Sequence, residues 1–97
     1  MEQAPLAKSN FIIKESHGFD NSMIDYAKMA IAFAFLENPD DLDKICEIIV
    51  NKFSERYKGT WGACIIKDGA TASCKFQYEG YLFIQHKDYL IKIYQTG

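Results

Sequence analysis

The most constraining feature of this chain is a change of hydrophobic period between Phe53 and Trp61. Before this segment, apolar residues recur at helical spacing, and from Thr60 onward apolar and polar residues alternate as they do in strands. A helix followed at once by a run of short strands favours helices packed on an antiparallel sheet over a helical bundle or an alternating βαβ order.

The alternating part of the sequence predicts four strands separated by short turns. The turns are indicated by Asp68-Gly69, Glu79-Gly80 and Lys87-Asp88. The predicted strands are Thr60–Lys67, Ala70–Gln77, Tyr81–Lys87 and Tyr89–Gln95. An additional short strand is predicted at Asn10–Lys14, ahead of the helices, and Ser16-His17-Gly18 would close it.

The first of two predicted helices begins near Ser22, because Ser22 and Asp25 have the spacing of a capping box. It would extend to about Glu37. Between Ala27 and Leu36 its only charged residue is Lys28, so the helix needs cover on more than one side. A second subunit is one source of that cover.

The second predicted helix begins after Asn38, which would cap it, with Pro39 in the first turn. Asp40 and Asp41 would then be favoured by the helix dipole. Gly59 would end the helix. Its apolar stripe is predicted to contain Leu42, Ile45, Ile49 and Phe53.

The predicted fold class is therefore α+β: a short N-terminal strand, two helices, then an antiparallel sheet of four strands, with the helices packed on the sheet. Residues 1–9 are predicted to be a flexible tail or linker, and residues 10–97 a single domain. A domain of this size has a small core, so a partner surface would help its stability.

Composition limits the classes of partner and location. The net charge is −2 and no dense basic stripe is present, which argues against nucleic acid as a partner.

Cys46, Cys64 and Cys74 form no C-x-x-C pair, as expected for free thiols in a reducing compartment. The longest strongly apolar stretch, Met29–Leu36, is too short for a bilayer span. Residues Met1–Pro5 lack the basic and apolar regions of a secretory leader, so no leader is expected there. The predicted location is the cytoplasm.

No set of residues predicts catalysis, a metal site or a cofactor. Cys64 and His86 are better explained as strand residues than as a nucleophile and base. His17 and His86 lack the further ligands of a tetrahedral metal site. The acidic run before Lys44 is explained by capping. The chain is therefore expected not to be an enzyme.

A set of residues spread over positions 10–97 resembles the eight-kilodalton dynein light chain family. The matching positions are Leu36, Glu37, Ile45, Ile49, Phe53, Tyr57, Thr60, Trp61, Cys64, Ile65 and Gly97. The order of predicted elements is also similar to that family. The resemblance implies a cytoplasmic, cytoskeleton-associated protein of motor complexes on microtubules, with dynein intermediate chain among its expected partners.

The resemblance also implies a homodimer in which one strand of each subunit, here Ala70–Gln77, crosses to the sheet of its partner. Each resulting groove would accept an extended peptide as an additional strand, and two grooves give avidity. The residues implied for the groove are Asp43, Lys44, Ala70, Thr71, Ala72, Ser73, Cys74, Lys75, Phe76, Tyr81 and Phe83. Ordinary sheet packing and dimer contact are an alternative explanation of these aromatic residues.

Several positions depart from the family pattern. Leu42 and Asp43 stand where the family has a Glu-Lys pair that holds the glutamine of a Thr-Gln-Thr ligand, and Lys44 is the nearest replacement. The segment Gly62-Ala63-Cys64 is one residue longer than usual, which predicts a bulge, and the family's interface histidine is missing there.

A second hypothesis follows from these departures. Similar divergent domains follow an EF-hand pair in helminth tegumental calcium-binding proteins, so the chain would be a dimerisation domain with lost or altered peptide specificity. The segment Asn38–Asp43 lacks the residues of an EF-hand loop, so no calcium is expected there.

Overall fold

A computed structural model describes residues 11–67 and 80–96 of the chain. The described elements are β1 (Phe11–His17), α1 (Asn21–Glu37), α2 (Leu42–Arg56), β2 (Trp61–Lys67), β3 (Gly80–His86) and β4 (Tyr89–Gln95). The predicted strand Ala70–Gln77 and the predicted tail 1–9 lie outside the described residues. The α+β class, with two helices packed on an antiparallel sheet, is confirmed.

The described strands form one antiparallel sheet in the order β1-β3-β4-β2. The pairing of β2 with β4 is regular from Trp61 opposite Gln95 to Lys67 opposite Tyr89. The bulge predicted at Gly62-Ala63-Cys64 is therefore wrong. The irregularity lies instead in β1, between Ile13 and Glu15, where that strand pairs with β3. Each of β1 and β2 borders only one described strand.

Both predicted helix starts were misplaced by a few residues. The cap of α1 is Asp20, whose side chain accepts a hydrogen bond of 2.9 Å from the backbone of Met23, while the Ser22 hydroxyl donates to the same carboxylate. The cap of α2 is Asp41, which accepts from the backbone of Lys44 at 3.1 Å.

Asn38 does not begin α2, because it ends α1. Its backbone N–H donates to the carbonyl of Ala34 at 3.0 Å. Pro39 and Asp40 then form a turn between the helices. The second helix ends at Arg56, before Gly59, which has a positive φ of 105°.

The strand predicted at Asn10–Lys14 is longer than expected, because β1 continues through Ser16 and His17. These two residues pair with Leu82 and Tyr81 of β3. The prediction ended the strand earlier because Ser16-His17-Gly18 has the composition of a turn, and pairing with β3 outweighs that local preference. Gly18, with a φ of 76°, then turns the chain toward α1.

The core lies between the two helices and one face of the sheet, which we call the inner face. The predicted stripe of α2 is confirmed, since Ile45, Ile49 and Phe53 are fully buried and Leu42 packs against them. The inner face of the sheet supplies Leu82, Ile84, Ile91 and Ile93, all fully buried.

Trp61 joins the end of α2 to the sheet. Its side chain is 6% exposed, and its ring centroid lies 5.1 Å from that of Phe53 and 6.0 Å from that of Phe19. Trp61 therefore anchors the core at the junction of the helices and the sheet. The backbone nearby is closed by a hydrogen bond of 2.7 Å from Thr96 to the carbonyl of Thr60.

Candidate functional site

Strand β3 turns alternate side chains toward opposite faces of the sheet. Leu82, Ile84 and His86 are buried on the inner face, whereas Tyr81 and Phe83 are half-buried and point away from the helices. We call this second side the outer face. The predicted groove residues Tyr81 and Phe83 therefore share one face, and no described helix covers it.

Tyr81 is the centre of a cluster on the outer face. Its hydroxyl donates a hydrogen bond to the Glu15 carboxylate of β1, and the ring of His17 stacks on it at a centroid distance of 5.8 Å. From β4, the ammonium of Lys92 lies 5.0 Å from the same ring centroid. The hydrogen bond to Glu15 raises the pKa of Tyr81, because it stabilises the protonated phenol. The sequence did not indicate Glu15, His17 or Lys92 as neighbours of Tyr81.

Gly62 of β2 lies directly under the ring of Tyr94 on the outer face. A Cβ atom built at Gly62 would be 2.5 Å from Cε2 of Tyr94, well inside van der Waals contact. The absence of a side chain at Gly62 therefore lets the Tyr94 ring lie flat across the strand.

Strand β2 is an edge strand of the sheet over the described residues. It pairs with β4 along its whole length, and on its other side no described strand borders it. The backbone groups on that side of an edge strand can accept another strand. The sequence did not reveal this position, because strand order within a sheet depends on pairing between distant segments.

Asp43 and Lys44 lie in the first turn of α2, and both are exposed. The Lys44 ammonium makes an ion pair of 3.3 Å with Glu47, one turn further along the helix. This helix start is beside the later half of β2, since Cys46 interacts with the backbone of Ile65. Burial, with a smaller effect of the Asp43 carboxylate, raises the pKa of the Cys46 thiol.

A single chain does not bring all predicted groove residues together. Asp43 and Lys44 are in the first turn of α2, the end of the helix that meets β2 at Ile65 through Cys46. Tyr81 is instead aligned through Tyr94 with Gly62, near the opposite end of β2. Strand β4 separates β3 from β2, which places β3 about 10 Å from β2. The remaining predicted residues, Ala70–Phe76, lie outside the described part of the chain.

The residue pairs considered for catalysis or metal binding are on different faces. Cys64 aligns with Lys92 and Phe83 on the outer face, whereas His86 is 4% exposed on the inner face, stacked on Phe11 at 4.5 Å. His17, next to Tyr81, is also on the outer face. Over residues 11–67 and 80–96, no group of three or more metal-ligating side chains occurs.

Among the helices of the described segments, none is long and apolar enough to cross a membrane.

No protein-family model matches the sequence, and no curated protein matches it. Solved structures, in contrast, match over nearly the whole chain. One is the dynein light chain-like domain of the Fasciola hepatica calcium binding protein FhCaBP2, with a TM-score of 0.77 and 10% identity over 97% of this chain and 99% of that one.

Another is the dynein light chain-like domain of CsTAL3, with a TM-score of 0.65 and 12% identity over 98% of each chain. The property shared at these identities is the fold. This chain therefore has the fold of a dynein light chain-like domain, as the sequence resemblance indicated.

Proposed function

We propose that the protein is a non-enzymatic homodimeric adaptor that binds extended segments of partner proteins. The observation that carries the proposal is the edge position of β2, which borders only β4 among the described strands. The strand Ala70–Gln77 of a second copy would pair there, and an extended peptide would then be added beyond it. The adaptor would act in the cytoplasm, with dynein intermediate chain as one candidate partner and the microtubule cytoskeleton as its location.

The outer face supports the same proposal. Phe83 and Tyr94 are half-buried on this face, beside the buried Lys92, and no described helix packs on them. If a second sheet packs on this surface, the aromatic side chains lose water and the interface gains stability. A second copy would also supply the residues that one chain cannot bring together with Asp43 and Lys44.

The first experiment measures self-association by sedimentation equilibrium. A homodimer should have twice the mass of the chain at micromolar concentrations. Cys74→Pro should shift it toward monomer, because proline removes a donor from the ladder of the crossing strand. Lys8→Pro, in the predicted tail, is the matched control and should leave the dimer unchanged. A monomer for the natural chain, or an unchanged Cys74→Pro dimer, would contradict the proposal.

The second experiment tests peptide binding by amide NMR shifts with a Thr-Gln-Thr-type peptide. Binding in the proposed groove should shift Asp43, Lys44 and the Ala70–Phe76 resonances. Shifts confined to other surfaces would refute this groove.

A second candidate function is a dimerisation domain with lost or altered peptide specificity, attached to an EF-hand domain. Two observations favour it. Leu42 is partly buried and Asp43 is a short acid, so neither reproduces the Glu-Lys pair of the family. One similar structure is a domain of a protein named as calcium binding. A dimer that does not respond to peptide up to about 1 mM would support this function over the first.

A further inference from the structure

The outward side of α1 carries an apolar stripe that the core does not cover. Met29, Phe33 and Leu36 lie on one side of the helix and are 46%, 41% and 81% exposed. They are three of the five large apolar residues exposed in the described segments, and the other two are on β1. The buried side of α1, with Ala27, Ala30, Ile31 and Ala34, faces the core.

The proposed homodimer would leave this stripe uncovered. That dimer uses the edge of β2 and the outer face of the sheet, whereas α1 packs on the inner face. Self-association through the stripe alone is also disfavoured by its size. Three partly exposed side chains offer on the order of 300 Å², a typical size for a functional patch on a monomer. A stable interface needs about 800 Å² from each partner.

Cationic side chains of α2 border the stripe. The ammonium of Lys52 lies 4.4 Å from the ring centroid of Phe33, and the guanidinium of Arg56 lies 4.9 Å from that of Tyr26. Aromatic rings hold cations at such distances. Neither cation makes an ion pair with a carboxylate of the described residues, unlike Lys44, which pairs with Glu47.

The nearest carboxylates of α1 are at the two ends of the stripe. Asp25 lies one turn before Met29, and Glu37 is the last residue of the helix. On α2, Glu55 is next to Arg56 in sequence but about 100° around the helix axis from it. The middle of the stripe, around Phe33, is therefore bordered by Lys52.

We propose that this surface, made of Met29, Phe33 and Leu36 with Lys52 and Arg56 beside them, binds an acidic amphipathic helix of a partner protein. The apolar side of that helix would cover the stripe, and its flanking carboxylates would meet Lys52 and Arg56. An amphipathic helix suits the surface because three side chains spaced over two turns match its apolar face. The inference goes beyond the proposed function and does not require the dimer.

The test uses a synthetic amphipathic helix with leucines on one side and glutamates on the flanks. The matched peptide has lysines in place of the glutamates. Titration followed by amide NMR should shift residues 29–36 and Lys52, and the acidic peptide should bind about tenfold more tightly than the basic one. Equal affinity for both peptides, or no binding of either up to about 1 mM, would overturn the proposal.

Substitutions separate the apolar and the charged contributions to peptide binding. Leu36→Glu should abolish binding of the acidic peptide, and Lys52→Glu combined with Arg56→Glu should reverse the preference toward the basic peptide. Ile12→Glu is the matched control, since Ile12 is 53% exposed on β1, and it should bind like the natural chain. Circular dichroism checks that each variant is folded, and Met29→Glu replaces Leu36→Glu if the latter is not.

Two other outcomes would also refute the proposal. One is a change of self-association in Leu36→Glu with no change in peptide binding, since the stripe would then contact a second copy. The other is binding to anionic lipid vesicles that Leu36→Glu removes while the affinity for the acidic peptide stays unchanged.

Discussion

Phe53 is the residue at which the aromatic contacts of the core meet. Its ring centroid lies within 5.1–5.9 Å of those of Trp61, Tyr26, Tyr57 and Phe19. The side chain is fully buried, so its removal leaves a cavity between α2, α1 and β2.

Phe53→Ala should lower the free energy of unfolding by about 4 kcal/mol, from lost burial and the residual cavity. Phe33→Ala is the matched control. Its ring is 41% exposed, and the expected loss is about 1 kcal/mol or less. Urea denaturation measures both. Equal losses in the two variants would contradict the described core.

Gly62→Ala should destabilise the protein by about 2 kcal/mol, because the new methyl group would overlap the Tyr94 ring. The control is Gly80→Ala, where a Cβ would meet its nearest atom at 3.6 Å, an ordinary contact. That variant should be close to neutral. Thermal unfolding of both variants tests the close approach of Gly62 and Tyr94.

The stabilisation of the fold by the Asp20 carboxylate depends on pH. Hydrogen bonds from the Met23 backbone and the Ser22 hydroxyl lower the pKa of its carboxyl group. The stabilisation is therefore present above the unfolded-state pKa, near 4, and is lost as the pH falls through the lower folded-state value. Asp20→Asn keeps a cap that does not titrate, so its urea midpoint should decline less than that of the natural chain between pH 5 and pH 2. If the urea midpoints of the two proteins decline equally, the ionised Asp20 carboxylate does not stabilise the fold.

At the scale of elements, the start of α2 depends on which of two neighbouring acids caps the helix. Asp40 and Asp41 are adjacent, and sequence alone does not distinguish them. The structure assigns the cap to Asp41, because its carboxylate accepts from the Lys44 backbone.

Asp41→Ala should therefore lower the free energy of unfolding by about 1 kcal/mol, the usual cost of a lost N-cap. Asp40→Ala should change it by less than about 0.5 kcal/mol, as an exposed turn residue. Urea denaturation of the two variants compares them directly. The reverse order would place the start of α2 one residue earlier.

At the scale of the whole molecule, the sheet is covered on one face only within the described residues. Helices shield the inner face, while Tyr81, Phe83 and Lys92 are on the outer face and β2 is at the edge. If a second copy packs on this face and edge, association stabilises the folded chain.

If the proposed dimer forms, stability should depend on concentration, since association favours the folded state. Each tenfold increase in protein concentration should then stabilise the dimer by about 1.4 kcal/mol relative to unfolded chains, and so raise Tm. Differential scanning calorimetry over a hundredfold range of concentration measures this. A tight dimer also unfolds to separate chains, so a constant Tm over that range would contradict the proposed dimer.

The sequence by itself determined the class of fold and most of its elements. The change of period at Phe53–Trp61 correctly separated the helices from the strands, and the last strand, Tyr89–Gln95, has the predicted bounds. The stripe of Ile45, Ile49 and Phe53 was also predicted correctly. These features depend on neighbours in sequence, since a helix or strand face is set by a local period.

Only the tertiary structure decided how those elements are arranged. It gave the strand order that places β2 at an edge, the Glu15–Tyr81–Lys92 cluster, and the stripe of α1 left uncovered beside Lys52. Each depends on contacts between residues far apart in sequence, and no local period records which segments will meet. The same reason explains why the predicted bulge at Gly62 was wrong: its partner strand, β4, holds that segment in regular register.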